Sequence, residues 1–261
     1  MSVSSLPIST RGTAFTGALW TPENSSDAAI LLLPDFNGAD ATMQRIATRL
    51  EAAGYSVLLP DLFAPGLVPA PPEDADDAAR ADWATTISDS DVVSYARASM
   101  DALVAAVPNA RYGIVGFGWG GAFALMTAAQ DMRVSAIADI CGEISYPVLT
   151  AKRPGSPLNF VAGIESAFFG AFALSDPLFP VAEVERLRVR LEDHDKIAEI
   201  KHYEGAPTRF WRDDSLPQTV AFWRRLEAWL HSKLREDATP PPMPQIVTEG
   251  GYRNEESRIH A

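Results

Sequence analysis

Only one cysteine, Cys141, and four histidines occur among 261 residues. A lone cysteine excludes an internal disulfide framework and any cysteine-based zinc cluster. Cations are short as well: 22 Lys and Arg stand against 34 Asp and Glu, a formal net charge of −12 with histidine neutral. Nucleic acid and anionic membrane are therefore not expected partners, because both are held by clustered Lys and Arg. No segment approaches ~18 uninterrupted apolar residues, and the opening stretch MSVSSLPISTRG has no apolar signal core. What is present is an apolar fraction of 47%, ample for one large core. A cytoplasmic protein, monomer or homodimer, with one domain over residues 1–238 is the expectation.

Apolar runs bounded by turn residues recur along the chain. Ala29 to Pro34, Ser56 to Pro60, Arg111 to Phe117, Val134 to Ile140, Phe169 to Leu174 and Ile197 to Tyr203 read as strands. Helical periods cover about 41–54, 88–106, 119–129, 181–192 and 217–235. In the first of these, Met43, Ile46, Leu50 and Ala53 share a face and Gly54 supplies a stop. This alternation predicts a three-layer α/β fold, a mostly parallel sheet with helices on both faces.

Three stretches break the rhythm. Residues 64–84, rich in Pro, Ala and acid, read as a cap or loop over the strand ends. Residues 143–156 form an irregular connection, and 239–261 a Pro-rich tail. The acids Glu73, Asp74, Asp76 and Asp77 lack the spacing and glycine of an EF-hand, so a solvated face is expected rather than a cation site. Phe222, Trp223, Leu226, Trp229 and Leu230 recur at helical spacing, which is core packing first and a dimer face second.

The most informative text is RYGIVGFGWGGAFA, residues 111–124. A buried strand runs into glycines and a helix follows. Gly116, Gly118 and Gly121 satisfy G-x-G-x-x-G, with Asp139 placed as a ribose-binding acid, so a dinucleotide site is one reading. Gly116, Gly118 and Gly120 equally satisfy the outline of a nucleophile elbow, G-x-Nuc-x-G. The dinucleotide fingerprint belongs on a domain's first strand, and here two strands and two helices precede it.

Around this turn the chain resembles the dienelactone hydrolase family over about residues 8–235. Leu32 to Phe63 is similar to its first strand, oxyanion loop, helix and second strand. Gly113 to Gly121 is similar to its nucleophile turn, Pro157 to Pro180 to the segment presenting the acid, and Tyr203 to Phe210 to the turn presenting the histidine. The resemblance implies an acid at Asp176 and an oxyanion-loop carboxylate at Asp35. It also implies that the nucleophile position, Cys or Ser in the family, is Gly118, and that the histidine position is Thr208. Arg212 falls where some relatives hold a substrate carboxylate, with surface pairing to Asp213 or Asp214 as the plainer alternative.

Covalent hydrolysis needs a hydroxyl or thiol within reach of a base, and neither Gly118 nor Thr208 supplies one. His194, His231 and His260 read as surface or terminal residues, and His202 as too deep to reach the turn. Cys141 reads as a buried thiol that could face the pocket. The Trp119 amide, with one from the Phe36 region, is expected to keep an oxyanion hole. Two functions are compatible with this pattern. One is a non-hydrolytic enzyme, of isomerase, cyclase or lyase type, using that hole with Asp35 or Asp176 for proton transfer. The other is a catalytically silent binding protein. The first takes a small carbonyl-bearing molecule, the second a small-molecule ligand or a regulatory role, and neither requires a cofactor or metal.

Overall fold

The computed structural model describes residues 2–10, 12–24, 26–72, 75–173 and 180–235. Glu73, Asp74, Asp176 and the Pro-rich stretch 239–261 lie outside these, so the expectations placed on them are not addressed. Eight strands run in the order β1 (Ser2–Thr10), β2 (Thr13–Thr21), β3 (Ala28–Leu33), β4 (Ser56–Pro60), β5 (Arg111–Phe117), β6 (Val134–Ile140), β7 (Ala167–Ala173) and β8 (Ala198–Tyr203). Six α-helices accompany them: α1 (Ala41–Ala52), α2 (Asp77–Thr85), α3 (Asp89–Ala106), α4 (Trp119–Ala128), α5 (Val181–Asp193) and α6 (Pro217–Leu234).

The strands form one sheet in the spatial order β1-β2-β4-β3-β5-β6-β7-β8. Pairings from β4 to β8 are parallel, whereas β1–β2 and β2–β4 are antiparallel. The β1–β2 hairpin is not among the strands expected from sequence. Its outer strand, SVSSLPIST, is exposed at most positions and carries Pro7, so no buried apolar run marks it. β3 and β7 are buried at every residue, as expected of strands covered on both faces.

The two faces can be told apart along β5, where side chains alternate. A Cβ at Gly113 would stand 3.0 Å from Leu234 of α6, and the Phe117 ring lies 6.0 Å from Trp223 of the same helix. Gly116 faces α4 instead: a Cβ there would come within 2.2 Å of the Gly120 carbonyl oxygen. Phe222, Trp223, Leu226, Trp229 and Leu230 are all buried, so the α6 stripe is core. On α1 the buried set is Met43, Ile46, Ala47, Leu50 and Glu51, and Ala53, expected on that face, is exposed past the helix end. Gly54 comes next with φ 92°, the left-handed stop its sequence position suggested. Asp40 caps α1 by accepting from the Met43 amide at 3.0 Å.

From β3 the chain passes through α1 to β4 on one side, and later returns to place β5 on the other. Open α/β sheets hold their crevice at such a reversal, outside the carboxyl ends of the two diverging strands. Leu33 pairs with Gly116, so the segments leaving the two strands meet at one point: Asp35 and Phe36 after β3, and Gly118 after β5.

Candidate active site

Gly118 turns the chain from β5 into α4 with φ 52° and ψ −122°. An L side chain in this region carries strain of order 1–3 kcal/mol, which glycine avoids. The turn is held by Gly118 N–H donating to Ile140 O at 2.7 Å and Gly121 N–H donating to Gly118 O at 2.8 Å. Its tightness comes from backbone contact, because a Cβ at Gly120 would lie 2.4 Å from Pro34 O. A Cβ at Gly118 itself would meet Asp35 Cβ at 3.2 Å and the Trp211 ring edge at 3.5 Å. Trp119 is the first residue of α4, so its N–H has no intrahelical acceptor and sits at the positive end of the helix dipole.

Gly118 and Trp119 border a cavity of about 660 Å³. Asp35, Phe36, Cys141 and Thr208 also line it, so the structure brings together six of the eight residues picked out from sequence. Asp176 is outside the described residues. Arg212 is not in the wall, and its expected pairing with Asp213 or Asp214 is corrected. Its guanidinium clamps Asp35 in two parallel hydrogen bonds, Nη2 to Oδ1 at 2.7 Å and Nε to Oδ2 at 2.8 Å, and reaches Asp40 Oδ2 at 2.9 Å. Asp213 turns inward on Ser215, and Asp214 pairs with Arg45 at 3.0 Å. The reason is burial: Asp35 is 1% exposed and needs a cation, while Asp213 and Asp214 have water or a nearer partner.

Asp35 Oδ1 also accepts from Asn37 N–H at 2.9 Å, and Gly38 N–H goes to Asp35 O at 2.9 Å. Asp35 thus ties down the Asn37 and Gly38 amides of this loop. Cys141 is buried with φ 53°, and its thiol donates to Ala171 O at 3.4 Å. It borders the cavity as a tied thiol. Among the described residues no histidine lines the cavity. His202, expected to be too deep, is exposed on the edge strand β8.

The dinucleotide reading is overturned by Asp139. This carboxylate is 2% exposed and absent from the cavity wall, and it accepts from Gly142 N–H at 2.7 Å. Its Oδ1 also sits where a Cβ of Gly121 would be, at 2.2 Å. Burial pushes it up to about 7, against the pull of the Gly142 amide. It locks α4 to the loop after β6 and has no access to a ribose. The acidic stretch also resolves into structure: Asp76 caps α2, accepting from Ala79 N–H at 2.8 Å. Residues 77–85 are helix rather than loop, and Arg80, Ala84 and Thr85 face the cavity.

Two features of the wall were missed. The first is aromatic: Trp119 lies against Phe123 at 4.7 Å, Trp83 at 5.5 Å, Phe63 at 5.7 Å and Phe36 at 6.5 Å. The second is a charged cluster in the stretch 143–156, read from sequence only as irregular. Arg153, 5% exposed, donates to Glu143 and lies over the Tyr146 ring at 3.3 Å. Tyr146 donates its hydroxyl to Asp89 Oδ1 at 3.2 Å. Burial pushes Asp89 up to about 6 against the opposing Arg153 charge and Tyr146 hydroxyl. Glu143 is likewise raised by burial, with Arg153 opposing. A tyrosine and an arginine close behind a Pro-broken loop were the available signal, but their partner Asp89 is 57 residues from Tyr146.

No helix among the described residues is long and apolar enough to cross a membrane. Comparison with known proteins agrees with this fold. A Bradyrhizobium protein named "Probable 2-oxo-3-(5-oxofuran-2-ylidene)propanoate lactonase" is 29% identical over 185 residues, 70% of this chain and 73% of that one. The crystal structure of a "Putative Dienelactone Hydrolase" from Klebsiella pneumoniae superposes with a TM-score of 0.76 at 21% identity, covering 87% of this chain and 97% of that one. The dienelactone hydrolase-like promiscuous phosphotriesterase P91, from metagenomic libraries, gives a TM-score of 0.72 at 17% identity over 89% and 98%. The sequence model of the dienelactone hydrolase family matches residues 15–232, and the chain belongs to that family.

Proposed function

We propose that this chain binds a small carbonyl compound at the elbow and converts it without hydrolysis. The carbonyl oxygen rests on the Trp119 amide at the head of α4 and on the Phe36 amide. The observation that carries this reading is Gly118: the elbow geometry is kept, at φ 52°, with no side chain to attack a carbonyl. On the flank of the elbow stands the Trp211 ring rather than an imidazole, and Thr208 is no base near neutral pH. Fixed amide donors in a site walled by aromatic rings stabilise developing negative charge without a covalent step. Isomerisation, cyclisation and related rearrangements need that much and no acyl-enzyme. Asp35 contributes as a fixed charge, since its oxygens already accept three hydrogen bonds and a proton-transfer role requires Arg212 to release it. Asp176 is the other carboxylate of this reading.

The lactonase name of the Bradyrhizobium relative speaks for hydrolysis in that protein, so hydrolysis is the comparison to make. With p-nitrophenyl acetate, turnover is expected to stay at the buffer rate, with no acyl adduct in the intact mass. A stoichiometric burst or an adduct would overturn the reading. Cyclisation of 2′-hydroxychalcone to flavanone, in which the phenol O–H adds across the enone double bond, reports carbonyl polarisation directly. Saturable acceleration is expected. Saturable binding without acceleration would favour the second reading, a ligand-binding protein. That alternative draws on one observation, the commitment of both Asp35 and Glu143 to arginines.

A further inference from the structure

Most of the charges around the cavity are paired within the protein. Asp35 is held by Arg212, whose remaining reach goes to Asp40, so this group of two carboxylates and one guanidinium carries a net −1 beside the elbow. Arg153 is neutralised by Glu143 and covered by the Tyr146 ring. Arg186 pairs with Glu183 at 2.6 Å. Arg80 and Arg209, also in the wall, have interactions of their own within the protein. At the rim, Asp82 is exposed and adds a negative charge.

An anion drawn to Arg153 would have to strip it from Glu143, and the freed carboxylate would then stand unpaired and partly buried. Breaking such a pair from one side leaves an uncompensated charge that one new contact of the same kind does not offset. The remaining wall is aromatic: Phe36, Trp119, Phe123, Tyr146 and Trp211. A cavity of about 660 Å³ with these rings and a few uncharged polar groups, Thr85, Ser145 and Thr208, accepts a flat organic molecule of ordinary ligand size.

We infer that the ligand of this site is an uncharged, conjugated aromatic ketone or lactone, and that a carboxylate on it is selected against. This rests on the reading of the elbow as a carbonyl site. Ligand selectivity then comes from internal neutralisation of the wall, with the rings supplying contact area and the amides orientation.

The test is a matched pair of enones differing only in methyl against carboxylate: 4-phenyl-3-buten-2-one and 4-phenyl-2-oxo-3-butenoate. Each is titrated against the full chain at pH 7.5 in low salt, followed by tryptophan fluorescence and calorimetry. The neutral enone is expected to bind at least 10-fold more tightly. Equal or tighter binding of the carboxylate would overturn the inference while leaving a carbonyl-binding elbow in place. Failure of both to bind would remove the elbow reading itself, and this inference with it. A second arm uses Glu143→Gln, which removes the Glu143 charge from Arg153 and leaves it facing Asp89 alone, with circular dichroism to show that the variant is folded. The neutral-to-anionic preference is expected to fall at least fivefold. An unchanged preference in the folded variant would show that pairing in the wall does not set selectivity.

Discussion

The floor and the wall of the cavity are built from different materials. The floor, from β5 through Gly118 into α4, is backbone against backbone: atoms of Gly116, Gly120 and Pro34 lie closer than any side chain would allow. The wall formed by the 143–156 stretch is side chain against side chain, with Arg153 joining Glu143, Tyr146 and the distant Asp89. A backbone floor keeps its shape whatever stands on it, so glycine at position 118 leaves the turn intact. A wall of paired charges keeps its shape only while every partner remains.

The floor breaks most severely at Gly116. In a Gly116→Ala variant the added Cβ would stand 2.2 Å from Gly120 O, and neither strand nor helix can yield cheaply. A loss of about 3 kcal/mol or more in unfolding free energy is expected, read by urea denaturation. A loss under ~1 kcal/mol would mean that α4 can slide on the sheet, and the floor would then be no more rigid than the wall.

The wall breaks at its shared cation. Arg153→Met removes the partner of Glu143 and the charge facing Asp89, leaving two carboxylates near each other. Loss of one member of a buried pair costs about 3–5 kcal/mol, and the partial exposure of Glu143 brings the expected value to about 2–3 kcal/mol. The same variant should weaken binding of the neutral enone, because the Tyr146 ring loses the guanidinium lying on it. Retained stability with retained binding would show the cluster to be incidental.

The same contrast decides what could be read from sequence. Strands β3 to β7 and five helices were legible because both faces of the sheet are covered there, leaving apolar runs and clear helical periods, and the edge strand β8 was read from its short run although it is only partly buried. The elbow was legible because close backbone approach demands glycine at fixed spacing. The edge strand β1 was not, since Ile8 is the only one of its residues that is buried. The wall was not either: Arg153 and Glu143 are ten residues apart, but the choice of Arg212 for Asp35 spans 177 residues. Asp213 and Asp214 beside Arg212 in sequence pointed to the wrong partner, because adjacency says nothing about which carboxylate is buried and in need of a cation.

Asp89 offers the finest separation of the two regions, because it titrates behind the wall and leaves the floor untouched. Its carboxyl is raised from the usual range near 4 to about 6, chiefly by burial. The folded state therefore holds this proton more tightly than the unfolded chain does. The stabilisation is complete below about pH 4 and is lost as pH rises through about 6, with a slope of at most about 1.4 kcal/mol per pH unit. Asp89→Asn keeps an acceptor for the Tyr146 hydroxyl but removes the titration. Thermal melts across pH 4 to 8 are expected to decline less steeply in this variant between pH 4 and 6, and to lie above the native chain at pH 7 to 8. Asp139, buried beneath the elbow and raised to about 7, supplies its own decline from about pH 4 to 7 in both proteins, so it cancels in the comparison between them. If the two melting profiles run parallel from pH 4 to 6, Asp89 is ionised throughout. The Arg153 cluster would then carry a fixed charge, and the distinction between wall and floor would rest on packing alone.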